Sequence, residues 1–590
     1  MINTLKIRFN MKPIHSFKKV LLTLMALAVL AVSCKDEFLN VNPTGSLANA
    51  QLTTKAGIEG ALIGTYAALN GVFGNRFEAP NHWVTGSILG GEANKGTDPG
   101  DYTTINPIQR YETDPTNGDI NALWQGRYEG ISRANTVLKL LTEAQGVSDA
   151  DAKRIAGEAR LLRGHFYFDL KKHWNSIPYI DETILDADIP TVANTPDVWG
   201  KIEADFKFAM DNLPETMGQA GRLNKWAAAA YLGKAYLFQG KWADAKAIFD
   251  QVIANGQTTN GKKYDLVPAY AEIYNAENDN HEEAVFAVQS AMNTGSVNNA
   301  NWFDDLNYPY NTGPDGPGNC CGFFQPSFEL ANSFRVDSKG LPLLDGSYNS
   351  TTNALKHDFG IESSDPFTPD AGPVDPRLDH SIGRRGIPYL DWIAHPGKAW
   401  IRAQPYAGPY SPKKYIYYKR QENTLTDGSS WTRGYATMNY TIIRFADVLL
   451  MAAEAEIELN NLDAARTLIN RVRGRAANPA SWVKNPDGTN AANYVIATYD
   501  SPFADKAAAT TALRFERKLE LSGEGHRFFD LVRWGIAKQT LDPYLQHEGK
   551  YLITMFGGAS FTAGKNEYLP IPQTQIDIQG DDILKQNPGY

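Results

Sequence analysis

The sequence is poor in cysteine. Three residues in 590, at positions 34, 320 and 321, exclude a disulfide-stapled scaffold, because Cys320 and Cys321 are neighbours and close no long loop. Stability must come from packing, as in a large domain. Long hydrophobic runs are also scarce. The one extended apolar stretch, Val20 to Val32, would rise about 1.5 Å per residue as a helix and fall short of the roughly 30 Å hydrocarbon core, which excludes a membrane span there. Catalytic patterns are missing as well. His281-Glu282-Glu283 has no second histidine in zinc-protease register, and the chain has no phosphate-binding glycine loop and no Gly-x-Ser-x-Gly elbow. Positive charge is in short supply. The net charge is −9, and losing the five basic residues of a leader takes it to −14, which argues against nucleic acid and anionic surfaces as partners.

What is present begins with that leader. Lys6, Arg8, Lys12, Lys18 and Lys19, with no acidic residue among them, precede the apolar run, and the small residues Ala31 and Ser33 follow. Residues 1–33 therefore read as a secretory signal peptide. Ala31-Val32-Ser33-Cys34 resembles a bacterial lipobox, with Ala31 where the usual leucine stands, and this makes Cys34 the candidate for lipidation. Lys35-Asp36-Glu37 looks like the export signal that Bacteroidota place behind the acylated cysteine of surface lipoproteins. Several acyl chains, at about 0.8 kcal/mol per buried CH₂, would tether a soluble body to the outer membrane facing the cell exterior. Cys320 and Cys321 could close a small disulfide ring with a flat contact surface, or remain two thiols in a loop. We expect the thiols.

Apolar spacing predicts helices over 57–69, 121–141, 152–174, 198–213, 226–239, 242–253, 441–458, 463–475, 504–521 and 527–534. Gly233, Tyr236, Ala245 and Phe249 have the small and large spacings of a tetratricopeptide repeat, without its Trp and terminal Pro. Ala453, Ala465 and Ile469 form a second copy in which Glu456 replaces the Tyr. The pairs at 121–174 and 198–239 either extend this array or are generic helical hairpins. From 281 to 440 the helical period is lost, Pro and Gly rise, and aromatics cluster, so this stretch reads as a compact insertion of loops, short strands and short helices.

Phe515-Glu516-Arg517-Lys518-Leu519-Glu520-Leu521 and Gly523-Glu524-Gly525-His526-Arg527-Phe528-Phe529-Asp530-Leu531-Val532-Arg533-Trp534-Gly535 resemble the C-terminal signature of the SusD/RagB family. So do Tyr568-Leu569-Pro570-Ile571-Pro572 and the closing Asn587-Pro588-Gly589-Tyr590, with Arg444-Phe445-Ala446-Asp447, Gly157-Glu158-Ala159-Arg160 and Asp375-Pro376-Arg377-Leu378 as further islands. The resemblance implies a mainly α fold, a tetratricopeptide-like helical repeat array with a loop-rich, irregular ligand-binding half. The organisation expected is a signal peptide at 1–33, helix pairs in 34–280, an aromatic-rich ligand side in 281–440 and a C-terminal region at 441–590. It also implies a surface glycan-binding lipoprotein that serves a SusC-like TonB-dependent outer-membrane transporter. No residue pattern calls for a cofactor, a metal site or catalysis.

The charged string Arg514, Glu516, Arg517, Glu520, Glu524, Arg527, Asp530 and Arg533 has helical spacing and alternating sign, which reads as a structural ion network. Asp304, Asp305, Glu329, Asp375 and Asp379 could supply the carboxylate pair of a glycoside hydrolase, the alternative function. A ligand-free scaffold for the transporter is a third. A sugar ring has an apolar face and a hydroxyl rim, so flat aromatics with polar neighbours should bind it. Loop aromatics are plentiful, Tyr102, Phe323 and Phe324 among them, and most must pack a core of this size. The narrower glycan-binding set is Trp83, Trp302, Tyr310, Trp392 and Trp431, with Asn94, Asp98, Asp304 and Arg402 as polar candidates. The ligand is an oligosaccharide or polysaccharide, and the acidic chain favours a neutral one.

Overall fold

Antiparallel helices fill the first half of the chain, and most begin at a side chain that accepts hydrogen bonds from the first turn. They are α1 (Lys55–Ala67, capped by Thr54), α2 (Gly118–Thr142, Asn117), α3 (Asp149–Trp174, Ser148), α4 (Trp199–Asn212), α5 (Lys225–Phe238, Asn224) and α6 (Trp242–Asn255). The structure is a computed structural model that describes residues 49–590 other than Asn319, Ser430 and Gly434. The leader, Cys34 and the Lys35-Asp36-Glu37 cluster lie outside the described residues. Among the described residues no helix is long and apolar enough to cross a membrane.

Small residues set the helix spacing. A Cβ added to Gly130 of α2 would stand 2.5 Å from the Phe166 ring of α3, one on Gly164 of α3 would stand 2.6 Å from Phe206 of α4, and one on Gly233 of α5 would stand 2.6 Å from Phe249 of α6. Small faces large at these three steps, so the pair at 121–174 and the junction of α3 with α4 follow the same packing rule as the recognised repeat, while α4 and α5 meet through the stacked rings of Phe206 and Tyr231. The second copy is α7 (Phe445–Glu458) with α8 (Leu462–Ala476), where Ala453, Ala465 and Ile469 are fully buried. α6 packs directly on α7. Glu456 sits at that junction, 2.9 Å from Lys246 of α6, so the Tyr of the first copy gives way to an ion pair between copies.

The packing rule makes a paired prediction. Gly233→Ala adds a methyl group against a buried ring, costing about 1–3 kcal/mol in overpacking and exceeding the roughly 1 kcal/mol gained in helix propensity. Gly474→Ala in α8 meets nothing within 4 Å. Thermal melts should show the first variant below the wild type and the second at or above it.

One expected helix begins late. Residues 441–444 belong to a strand, because Thr441-Ile442-Ile443 is β-branched and favours an extended chain. The strands that matter are β1 (Ala93–Gly96), β2 (Ala284–Val288), β3 (Phe323–Pro326) and β4 (Tyr440–Arg444). β1 pairs antiparallel with β3, Asn94 opposite Gln325, and β2 pairs with β4, Ala287 opposite Thr441. Between 281 and 440 the described helices are short, up to the 6 residues of Phe328–Ser333.

Where the insertion meets α9 (Lys506–Glu520), the charged string is buried. Glu520 accepts from Arg444 at 2.6 Å, from Arg377 at 2.9 Å and from Arg475, while Glu516 takes Arg377 at 2.6 Å and Arg473 at 2.7 Å. Glu524 takes Arg444 at 2.8 Å and Lys414 at 2.7 Å. Burial alone would raise the Glu520 and Glu524 carboxyls, yet the arginines hold Glu520 well below the usual range, and Arg444 with Lys414 brings Glu524 down to about 2. A second set, Arg517 with Asp447 and Asp530, and Arg533 with Glu454, continues into α10 (Arg527–Arg533). Arg514 instead lies over the Trp534 ring.

Candidate binding surface

Burial divides the nine candidates. Trp83 is only 2% exposed and meets Phe323 and Phe324 edge-on, so it belongs to the core. Trp302 is buried with its indole N–H on the Asn70 carbonyl at 3.0 Å, and Trp392 is buried with its N–H on the Tyr417 carbonyl at 3.2 Å. Asn94 is buried in β1, donating to the Ala407 carbonyl and accepting from the Gly96 N–H. Asp304 is buried among Asn81, Asn301 and Asn307, whose amides donate to it at 2.6, 3.1 and 3.0 Å, and burial pushes its carboxyl up to about 6. These five, expected to face a ligand, are buried. Among these five side chains every polar atom has an internal partner except the Trp83 indole N–H.

Asp98, Tyr310, Arg402 and Trp431 reach solvent. Arg402 pairs with Asp98 at 2.8 Å and Asp101 at 2.5 Å, donates to Thr97 at 2.8 Å, and lies 5.5 Å from the Tyr310 ring centre. The turn that carries the two aspartates stands on the buried Lys95, whose ammonium donates to the carbonyls of Asp98 at 2.9 Å and Asp101 at 2.6 Å. Burial brings that ammonium down to about 8 against the pull of Asp101 and Asp98. Thr97 and Tyr102 flank the turn with φ of +54° and +46°, a conformation that costs side-chain-bearing residues about 1–3 kcal/mol and must be held by these bonds.

Trp431 is 59% exposed, the more open of the two aromatic side chains among the four. Its indole N–H donates at 3.0 Å to Asp305, a buried carboxylate that also takes Arg76 at 2.7 Å through two nitrogens and the Tyr435 hydroxyl at 3.2 Å. One ring edge is thus fixed and the rest faces water. Two residues on, Arg433 donates to the carbonyls of Gly313 and Gly316, in the loop that starts at Tyr310. Tyr310 in turn takes its backbone position from the Trp400 carbonyl at 2.9 Å, two residues before Arg402. Tyr102, half-buried against Phe77 and Phe323, completes the patch. Asp101, Arg76 and Asp305 were not among the sequence candidates for binding. The Asp-Pro-Gly-Asp turn at 98–101 was the visible signal, but its partner Arg402 is remote in sequence.

Cys320 and Cys321, expected as thiols, are joined as a disulfide in the segment leading into β3. Elsewhere, a groove of about 540 Å³ runs along α2 between residues 178–189 and the helix Gln573–Gln579, lined by Phe73 and Tyr128. Among the described residues, His82, Asp169 and His173 form the one cluster with metal-ligand spacing. Asp169 there is already held by Arg127 and by Lys172 at 2.8 Å, two cations that oppose a third.

A tetratricopeptide-type scaffold that presents an open patch of aromatic and paired charged side chains defines a binding protein. The chain belongs to the SusD family, whose profile matches residues 282–590, and a profile described as "Starch-binding associating with outer membrane" matches residues 38–237. It is 24% identical to SusD-like protein P2 of Formosa agariphila over 97% of this chain and 100% of that one. It is 23% identical to the starch-binding protein SusD of Bacteroides thetaiotaomicron over 76% of this chain and 75% of that one. Among solved structures, a laminarin-binding SusD-like protein aligns with TM-score 0.64 at 24% identity, covering 91% of this chain and 100% of its own. Surface glycan-binding protein A of Bacteroides thetaiotaomicron, in complex with laminarihexaose, aligns with TM-score 0.63 at 20% identity, covering 90% and 99%.

Proposed function

We propose that this protein is a lipid-anchored, outward-facing outer-membrane lipoprotein that captures a neutral oligosaccharide or polysaccharide and passes it to a SusC-like TonB-dependent transporter. The observation that carries the reading is the patch itself: an exposed Trp431 anchored at one edge and joined through Arg433 to the loop that follows Tyr310, with Arg402 and Asp98 grouped at Tyr310. A flat ring meets the apolar face of a sugar, and the charged groups meet its hydroxyl rim. An open platform suits a chain that extends past the site on both sides. Neutral glycan is favoured because the local arginines are already compensated: Arg402 by Asp98 and Asp101, Arg76 by Asp305, Arg433 by Glu422. The leader, Cys34 and Lys35-Asp36-Glu37 support the anchored location, and the family supports the transporter.

The hydrolase alternative loses support from the fate of its carboxylates. Asp305 is paired with Arg76, Glu329 with Lys518, Asp375 with Arg377 and Asp379 with Arg384, while Asp304 is enclosed by amides. The test is native affinity electrophoresis of the full-length protein in detergent through gels containing laminarin, starch and other neutral polysaccharides, and a uronic-acid polymer. Retardation by at least one neutral polymer and none by the acidic one is expected. Retardation by none overturns the reading, and release of reducing sugar would put the hydrolase in its place.

A further inference from the structure

Resting on the glycan-binding reading above, we propose that the Cys320–Cys321 disulfide is a ligand-contacting part of the platform and keeps Tyr310 and Arg402 in place. The segment behind it is pinned on both sides. Gly322 donates to the Tyr308 carbonyl at 3.0 Å and accepts from the Thr97 N–H at 2.6 Å, and Phe323 donates to the Leu306 carbonyl at 3.1 Å. The disulfide therefore lies between the loop that carries Tyr310 and the turn that carries Asp98 and Asp101. Gly322 also touches both binding candidates, since a Cβ there would come 3.2 Å from Cβ of Tyr310 and 3.8 Å from Cβ of Arg402. Cys321 is buried and Cys320 half-buried, so the ring rests on the core with Cys320 as its more open end.

The chemistry suits a sugar. Sulfur is soft and polarizable, and the ring carries no hydrogen-bonding side-chain group that would keep a water layer over it, so it extends the apolar area beside Tyr310. Closing the ring removes two side-chain rotors from a segment that must hold its shape in the bound state, which lowers the ordering cost of binding. No third cysteine competes for the pair, because Cys34 is the acylation residue of the proposed lipoprotein. Formation balances with an external protein disulfide as oxidant. One thiolate attacks that disulfide, the neighbouring thiolate displaces it, and the S–S bond forms as two protons are released or passed on and the oxidant departs as a dithiol.

The experiment uses the full-length lipoprotein in detergent and the neutral polysaccharide that retards it. Three samples are compared by affinity electrophoresis with the untreated protein: wild type reduced with a phosphine, Cys320→Ser/Cys321→Ser, and Trp431→Ala. Alkylation of the denatured, unreduced wild type should leave residues 320 and 321 unmodified in a peptide mass map. Reduction and the double serine variant should each weaken retention roughly tenfold, a difference of about 1.4 kcal/mol, with melting curves that still show a cooperative fold. Reduction of the wild type carries the test should the double variant fail to fold. Alkylated cysteines in the unreduced protein, or retention within twofold of wild type after reduction, overturns the proposal. If retention survives reduction but is lost in Trp431→Ala, the platform stands and only the disulfide's role falls. If Trp431→Ala also binds as wild type, both fall.

Discussion

Trp431→Ala is expected to weaken glycan retention by about 30-fold or more, the roughly 2 kcal/mol typical of a central aromatic anchor, while leaving stability within about 0.5 kcal/mol. The two effects separate because the ring is 59% exposed and its anchor Asp305 keeps Arg76 and Tyr435 when the indole is gone. Affinity electrophoresis reads the first and a denaturant melt the second. Trp83→Ala is the control with the opposite signature. That ring fills a core site against Phe323 and Phe324, so its removal should cost about 3–5 kcal/mol of stability. Equal binding losses in both variants at a temperature where both are folded would mean that Trp431 acts through structure and not through contact.

The largest expected stability effect is at Glu520. Glu520→Gln keeps the shape but removes the charge that faces Arg377, Arg444 and Arg475, leaving three buried guanidinium groups short of a partner and an amide donor pointed at them. A loss of about 3–5 kcal/mol follows, a large share of the roughly 5–15 kcal/mol that holds a domain together. Glu458→Gln, which breaks a solvent-exposed pair with Lys506, should cost less than about 1 kcal/mol. Denaturation midpoints compare them directly. The network also has a pH signature. Glu520 and Glu524 are pulled below their unfolded values, so their contribution is complete above the unfolded value of about 4.5 and is lost as pH falls toward the folded value, about 2 for Glu524.

How far the sequence could be read depended on the range of the forces involved. Helices are local, and the apolar period located α2 to α8 closely because each helix carries its own buried face. The 16-residue separation of Gly233 and Phe249 matches the repeat, whereas at Gly130 and Gly164 the large partners, Phe166 and Phe206, stand 36 and 42 residues on, outside its spacing. The strand at Tyr440–Arg444 was missed at its edge for a local reason, since an apolar β-branched run fits both periods. The binding residues failed differently. Trp83 and Trp431 both stand in stretches that read as glycine-rich loops, although Trp83 opens a short buried helix, Trp83–Ile88, and nothing nearby in the sequence distinguishes them. Trp83 is buried by Phe323 and Phe324, and Trp431 is held open by Asp305, all contributed by distant segments. Arg402 and Asp98 could be nominated one at a time, but their pairing was a tertiary fact.

The central claim is that the glycan lies on the patch formed by Tyr310, Arg402 and Trp431. Hydrogen–deuterium exchange of the full-length protein, with and without the polysaccharide that retards it, measures this most directly. Protection is predicted in residues 97–102, 310–322, 400–402 and 431–435, with α2 unchanged. Protection confined to α2, residues 178–189 and Gln573–Gln579, with those loops unchanged, would move the ligand to the groove beneath Phe73 and contradict the account.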